Sequence, residues 1–151
     1  MANEVSTQVK EIIQYIVIKI GDEQYGIDIK YIDNIVRMQN ITRVPKVPSY
    51  LKGVINLRGE VIPVMSLRLK MEMDEDVPTK DTRIIIIKMN QHDGIGIMVD
   101  SVKEVVSLDA SEIERVSFDN REERTNFVQG IGKQGDSLLS LLDIHAVLQQ
   151  D

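Results

Sequence analysis

The sequence contains no cysteine and no tryptophan, and only two phenylalanines and four tyrosines among its 151 residues. The absence of cysteine excludes disulfides, thiolate metal ligands and cysteine nucleophiles. The few aromatic side chains offer little surface for base stacking, and the net charge of -6 opposes binding to phosphates. We therefore do not expect this protein to bind nucleic acid.

Long hydrophobic runs are also absent. The isoleucine run Ile84–Ile87 is far shorter than the roughly 20 apolar residues that a membrane-spanning helix needs. Residues 1–10 are polar, include Glu4 and do not resemble a signal peptide. We therefore expect a cytoplasmic protein without direct membrane insertion. A chain of this length is expected to form one domain over residues 1–151 and to bury roughly two-thirds of its unfolded surface.

The residues that commonly carry catalysis do not form a recognisable grouping. His92 lies in a predicted polar turn, and His145 lies near Ser140 and Asp143 within one short strand-to-helix corner that lacks a G-x-S-x-G elbow. The acidic cluster at residues 74–76 lacks the glycine and the distant bidentate acid of a calcium loop and is predicted to be solvated. We expect no catalytic residues, no cofactor and no metal, and a small hydrolase remains a remote alternative.

Alternating apolar residues predict short β-strands along most of the chain. A strand over 14–20 and a second over 25–29 are predicted to form a hairpin. From Ile29 to Val36 the apolar spacing changes to three or four residues, which predicts a short helical turn, and 36–41 is predicted to return to strand.

The second half of the chain repeats the first. An offset of 70 residues aligns the segment from Gly26 to Val36 with its counterpart, and an offset of 77 aligns the segment from Tyr50 to Ser66. Each half, approximately 14–81 and 82–148, holds about five short strands, which is a number suited to a small barrel.

Each repeat is predicted to end in a short helix. Ser66 and Asp143 occupy equivalent positions, and both are favourable N-cap residues. The first helix is predicted to extend to Met71 and the second to Leu148.

The segment Gly53–Val64 is predicted to be two apolar strands joined by a turn. Asn56 and Gly59 are expected to supply the turn chemistry, because both tolerate a positive φ more readily than most residues, and this places Leu57 and Arg58 at the tip. An apolar residue beside an arginine on a rigid turn is typical of a protein-contact site, although an ordinary loop with a solvated arginine is the alternative.

Two further observations bear on this segment. The equivalent corner of the second repeat, residues 132–136, keeps the turn but lacks the Leu-Arg pair, which favours a binding role for that pair. Gly53 is expected to occupy a conformation or contact that a side chain would obstruct.

The same segment, with the sequence GVINLRGEVIPV, resembles the signature of the CheW family of bacterial chemotaxis coupling proteins. Four further segments are similar to parts of that family: Tyr25–Ile29, Ile41–Pro45, Gly96–Val105 and Phe127–Leu148. The resemblance covers about Gln14 to Leu148, nearly the whole chain.

The resemblance implies a mainly β fold of two five-stranded SH3-like β-barrels related by the repeat, with short helices, a C-terminal helix and room for strand exchange between the halves. It implies a non-enzymatic adaptor that couples chemoreceptors, the methyl-accepting chemotaxis proteins, to the regulatory domain of the CheA histidine kinase. A CheV-like or CheA-regulatory scaffold module is the alternative within the family. Recognition of proline-rich peptides, a more generic SH3-like function, is disfavoured because the chain has few aromatic residues.

In the family a receptor helical hairpin binds in the groove between the barrels. Carried onto this chain, the implied receptor-binding residues are Ile32, Asn34, Ile35, Val36, Gly53, Asn56, Leu57, Arg58, Gly59, Val99 and Val102. No motif identifies the kinase-binding residues. The family commonly has glutamate at the position of Asn34, so Arg58 is expected to lack that intramolecular partner here. It usually has aspartate at the position of Ser66, and both residues can cap a helix.

Overall fold

A computed structural model describes residues 11–88, 94–115 and 127–149. The strands are β1 (Ile12–Ile20), β2 (Glu23–Asp28), β3 (Ile32–Arg37), β4 (Leu51–Leu57), β5 (Glu60–Ser66), β6 (Arg83–Ile87), β7 (Ile95–Val99), β8 (Ser101–Asp109), β9 (Ile113–Arg115), β10 (Val128–Gln134) and β11 (Ser137–Leu142). The helices are α1 (Leu67–Lys70) and α2 (Ile144–Leu148), and short 3₁₀ turns occur at Ile29–Tyr31 and Ala110–Glu112. His92 and residues 1–10 lie outside the described residues.

The strands form two sheets. Sheet 1 has the order β8-β1-β2-β11-β10-β9, and sheet 2 has the order β3-β6-β7-β5-β4. Neighbouring strands are antiparallel except for β2 with β11 and β5 with β7, which are parallel. The predicted mainly β fold with two SH3-like barrels is confirmed, and sheet 1 carries the short strand β9 in addition to the five predicted strands.

Strands are exchanged between the repeats. The first two strands of the chain, β1 and β2, join β8, β10 and β11, whereas β6 and β7 join β3, β4 and β5. Sheet 2 is therefore built from the contiguous segment 32–99, and sheet 1 from the segments on either side of it. The halves 14–81 and 82–148 do not coincide with the sheets, because the chain crosses between sheets only at 29–31 and at Asp100 within the described ranges.

The largest apolar cluster joins the two sheets. It contains buried residues of both, such as Ile18 of sheet 1 and Ile97 of sheet 2, and two smaller clusters belong to the individual sheets. Side chains alternate along a strand, so the run Ile84–Ile87 in β6 contributes two residues to the shared cluster and two to the cluster of sheet 2. All four isoleucines are buried because both faces of β6 are covered.

The helical turn predicted from Ile29 to Val36 is wrong beyond its first residues. Only Ile29–Tyr31 is helical, and β3 follows immediately. The pairing of β3 with β6 shifts register near the start of β3, and Ile32 and Ile35 both pack against the shared cluster. An irregular strand thus reproduces the three-residue spacing of a helix. The strand predicted over 36–41 is also wrong, because β3 ends at Arg37.

The predicted N-caps are confirmed. The hydroxyl of Ser66 accepts a hydrogen bond from the amide of Leu69 at 3.1 Å, and the carboxylate of Asp143 accepts one from the amide of Ala146 at 3.3 Å. The two helices place three fully or almost fully buried side chains in the core: Leu67, Ile144 and Val147. No helix in the described part of the chain is long and apolar enough to cross a membrane.

Candidate functional site

The signature hairpin is formed by β4 and β5, and its turn is the pair Arg58 and Gly59. Leu57 pairs with Glu60, and the φ angles of Arg58 and Gly59 are 53° and 84°. Two successive positive φ angles are typical of a type I′ hairpin turn. Asn56 supplies turn chemistry, as predicted, but it does so from within β4 and without a positive φ: its side chain accepts a hydrogen bond from the amide of Gly59 at 3.2 Å.

Arg58 is an unusual residue for its position. Its side chain is exposed and makes no hydrogen bond or ion pair with any residue in the described ranges. A positive φ costs a non-glycine residue about 1 kcal/mol. At the equivalent turn of the second repeat, Gly135 takes this position with a φ of 61°. The backbone conformation therefore favours glycine, and Arg58 occupies it in spite of that cost.

Leu57 does not lie at the tip of the turn, where it was predicted to be. It is the last residue of β4, is only partly exposed and packs against the cluster of sheet 2, as does Val36. The tip of the hairpin is therefore formed by Arg58 and Gly59, and Leu57 is not part of it. The side chain of Asn34 accepts a hydrogen bond from the amide of Ile35 at 2.9 Å and makes no contact with Arg58.

Gly53 allows an unusually close backbone approach. It has a φ of 142°, and a Cβ added to it would lie 2.1 Å from the carbonyl oxygen of Thr42. Thr42 and Val54 exchange two backbone hydrogen bonds of 2.8 Å, so the segment before β4 is held directly against that strand. The prediction that a side chain would be obstructed at Gly53 is confirmed.

The remaining predicted site residues lie near the two crossings between the sheets. Ile32, Ile35 and Val102 are partly buried and pack against the shared cluster, so each presents some apolar surface. Val99 is 0% exposed. Its side chain therefore supports this surface from beneath and forms no part of it.

Lys88 links β3 to the signature hairpin and was not identified from the sequence. Its Nζ lies 3.9 Å from Oδ2 of Asp33 in β3 and 4.0 Å from Oε1 of Glu60, which follows the turn. Exposed ion pairs of this kind contribute only about 0–1 kcal/mol. The contact thus orients the turn relative to β3 more than it stabilises the fold.

The second crossing is held by Asp100, another residue that the sequence pattern did not reveal. Arg68 donates from Nε and Nη2 to the two carboxylate oxygens of Asp100 at 2.9 Å and 2.5 Å, and the amide of Gly21 donates to Oδ2 at 2.7 Å. The hydrogen bonds from Arg68, and then that from Gly21, hold the pKa of Asp100 below its ordinary value. Asp100 thereby ties α1 and the β1–β2 turn to the chain crossing.

Substitution of Asp100 by asparagine should make the protein less stable at neutral pH by about 1–2 kcal/mol, since it removes charge-assisted hydrogen bonds. A lowered native pKa gives stability that is present above the unfolded-state value of about 3.9 and is lost as the pH falls through the native pKa. The difference between wild type and Asp100→Asn in urea unfolding should therefore shrink from about pH 5 towards about pH 2. A difference that stays constant across this range would contradict the assignment.

The acidic loop is less solvated than predicted. The carboxylate of Asp76 accepts a hydrogen bond from the hydroxyl of Ser66, and burial raises the pKa of Asp76. Glu75 forms an ion pair with Lys52. Asp74 is exposed, as predicted.

The described residues do not assemble a catalytic grouping. Asp143 caps α2, and the exposed ring of His145 contacts Tyr31 edge-on, with ring centroids 5.6 Å apart. Across the described ranges, no three or more histidine, aspartate or glutamate side chains are grouped in a way that could hold a metal ion. Arg58 is an exposed charged side chain on a tight hairpin turn.

Comparisons with known proteins identify the family to which this chain is similar. The family model of the CheW-like domain matches residues 14–151. The chain is 37% identical over 142 residues to the chemotaxis protein CheW of Helicobacter pylori, covering 94% of this chain and 85% of the relative. It is 36% identical over 136 residues to the chemotaxis protein CheW of Bacillus subtilis, covering 90% and 86%.

The fold has a close counterpart among solved structures. The crystal structure of the scaffolding protein TtCheW from Thermoanaerobacter tengcongensis superposes with a TM-score of 0.84 at 32% identity, covering 93% of this chain and 95% of that one. The chain belongs to the CheW-like family of chemotaxis scaffold proteins.

Proposed function

We propose that this protein is a non-enzymatic adaptor that couples chemoreceptors to the CheA histidine kinase. The observation that carries the proposal is Arg58, an exposed guanidinium that has no partner among the described residues and lies on a turn whose backbone favours glycine. A charged side chain kept at a local cost in stability is a sign of function. Arginine supplies a rigid donor fork that suits a partner carboxylate.

The receptor tip would bind along a surface that includes Arg58, β3 and Val102. The partly exposed side chains of Ile32, Ile35 and Val102 can accept the apolar face of a helix. Arg58 would orient the helix by pairing with an acidic residue on it. Asn34 bonds to the amide of Ile35, and no residue in the described ranges forms a hydrogen bond or ion pair with the guanidinium.

Kinase binding requires a separate surface if both partners are to be held at once. We infer that the regulatory domain of the kinase packs against the barrel ends. Leu138 supports this, since it is 68% exposed and lies in sheet 1, whereas Arg58 belongs to a hairpin of sheet 2. Large exposed apolar side chains are typical contact points. The protein would thus act in the cytoplasm and reach receptor arrays only through its partners.

The function is tested by binding the purified protein to a receptor signalling fragment and to the kinase regulatory domain, first separately and then together. Calorimetry should show binding to each, and sedimentation should show one complex that contains all three proteins. Binding to neither partner would refute the adaptor function. Mutual displacement of the two partners would refute the assignment of separate surfaces.

A further inference from the structure

A cleft of about 560 Å³ lies beside β4, at the end opposite the signature turn. Its apolar lining includes Ile41, Pro45 and Leu51, and its charged lining includes Arg43, Lys46 and Lys52. The seven residues of β4 separate the cleft from Arg58 by about 20 Å at the rise of a β-strand. The cleft is therefore distinct from the turn that carries Arg58.

The shape of the cleft is fixed by its backbone. One side is anchored by the Thr42–Val54 bridge, and the other by the hydrogen bond from the amide of Leu51 to the carbonyl of Pro48 at 3.0 Å. Pro48 has a ring-restricted φ, and Lys46 is held at a φ of 61°. A non-glycine residue at positive φ indicates that the surrounding structure dictates the conformation of the loop.

The charge of the cleft is opposite to that of the whole chain. Arg43 and Lys46 are exposed and form no ion pair with residues in the part of the chain that the structure describes. Lys52 is paired with Glu75, which also lines the cleft. Three cations thus face one carboxylate, on a protein whose net charge is -6.

We propose that this cleft binds an acidic, extended segment of a partner protein. An apolar side chain of that segment would occupy the space between Pro45 and Leu51, and its carboxylates would pair with the cations of the rim. Glu75 contacts Lys52 in the free protein in the way a ligand carboxylate would, so Glu75 competes with the ligand. The inference rests on the proposed adaptor function in one respect only, namely that the ligand is part of a protein.

The probe is a short synthetic peptide that alternates glutamate and leucine, and its binding is followed by calorimetry and by amide NMR shifts. The shifts should concentrate in residues 41–52. Glu75→Gln should bind the peptide about threefold more tightly, because it removes a competing surface ion pair. The double variant Arg43→Glu with Lys46→Glu should bind at least about tenfold more weakly, because it reverses two contacts.

Asp74→Asn is the matched control, since Asp74 is an exposed neighbour of Glu75 and loses the same charge. Asp74 does not line the cleft, so Asp74→Asn should leave the affinity unchanged at physiological salt, where more distant charges are screened. A gain equal to that of Glu75→Gln would overturn the proposal. Equal binding of a peptide with glutamine in place of glutamate, shifts outside the cleft, or no binding by the wild type would also overturn it.

The two proposals can fail independently. Arg58→Glu should leave peptide binding unchanged, because Arg58 lies at the other end of β4. If the peptide binds while the receptor fragment and the kinase domain do not, the adaptor function fails and the cleft stands. If both chemotaxis partners bind and the peptide does not, the cleft proposal fails.

Discussion

Replacing Gly53 with valine should destabilise the protein by about 3 kcal/mol or more, or prevent folding. A side chain at this position would begin 2.1 Å from the carbonyl oxygen of Thr42, which is closer than any real contact of a Cβ. The clashing atom belongs to the backbone, so no side-chain rotation can relieve the clash. To relieve the clash, the segment around Thr42 must move away from β4, which breaks the two 2.8 Å hydrogen bonds between Thr42 and Val54.

The second repeat provides a control for this prediction. Gly130 occupies the equivalent position in β10, and its added Cβ would lie 3.1 Å from the carbonyl oxygen of Glu114. A displacement of a few tenths of an ångström accommodates that contact. Urea unfolding should therefore show a much larger loss for Gly53→Ala than for Gly130→Ala. Equal losses, or a wild-type melting temperature for Gly53→Val, would contradict the geometric explanation.

Reversal of charge in Arg58→Glu should weaken binding to the receptor tip by about 2 kcal/mol or more, without unfolding the protein. The residue is exposed and unpaired among the described residues, so the fold loses no contact when it is replaced. The partner would lose a donor fork and meet a like charge. Calorimetric titration with a receptor signalling fragment measures the effect, and an unchanged affinity would refute the role of Arg58.

Arg58→Gly separates binding from stability. Glycine adopts a φ of 53° without strain, as Gly135 does at 61° in the other repeat, so this variant should keep or gain up to about 1 kcal/mol of stability. It should nevertheless lose receptor affinity. A variant that is both less stable and weaker in binding would show that Arg58 supports the turn itself.

The repeat and its helix caps were predictable because they depend on local patterns. Alternating apolar residues identify strands wherever they pair, and Ser66 and Asp143 cap their helices through amides only three residues away. Alternation does not identify the partner of a strand. The exchange of β1 and β2 with β6 and β7 was therefore not determined by the pattern, although the resemblance left room for it.

The details of the candidate site depended on register and on distant contacts. Asparagine is the residue expected at positive φ, yet the pairing of Leu57 with Glu60 places the turn at Arg58 and leaves Asn56 in the strand. Asp100 meets Arg68 across 32 positions of sequence, and Lys88 meets Asp33 across two strands. No local sequence pattern predicts such pairs, because the residues come into contact only after the sheets have formed.

The contiguity of residues 32–99 in sheet 2 has a consequence for the order of assembly during synthesis. Once β7 has emerged from the ribosome, every strand of sheet 2 is available for pairing. Sheet 1 is in a different position, because Ile12 in β1 pairs with Asp109 in β8. The β1–β2 hairpin cannot pair with β8 until the whole of sheet 2 has been translated. Closing so long a loop is entropically costly. A preformed sheet 2 should reduce that cost, because it holds the two crossings at residues 29–31 and 100 at a fixed separation, at opposite ends of β6 and β7.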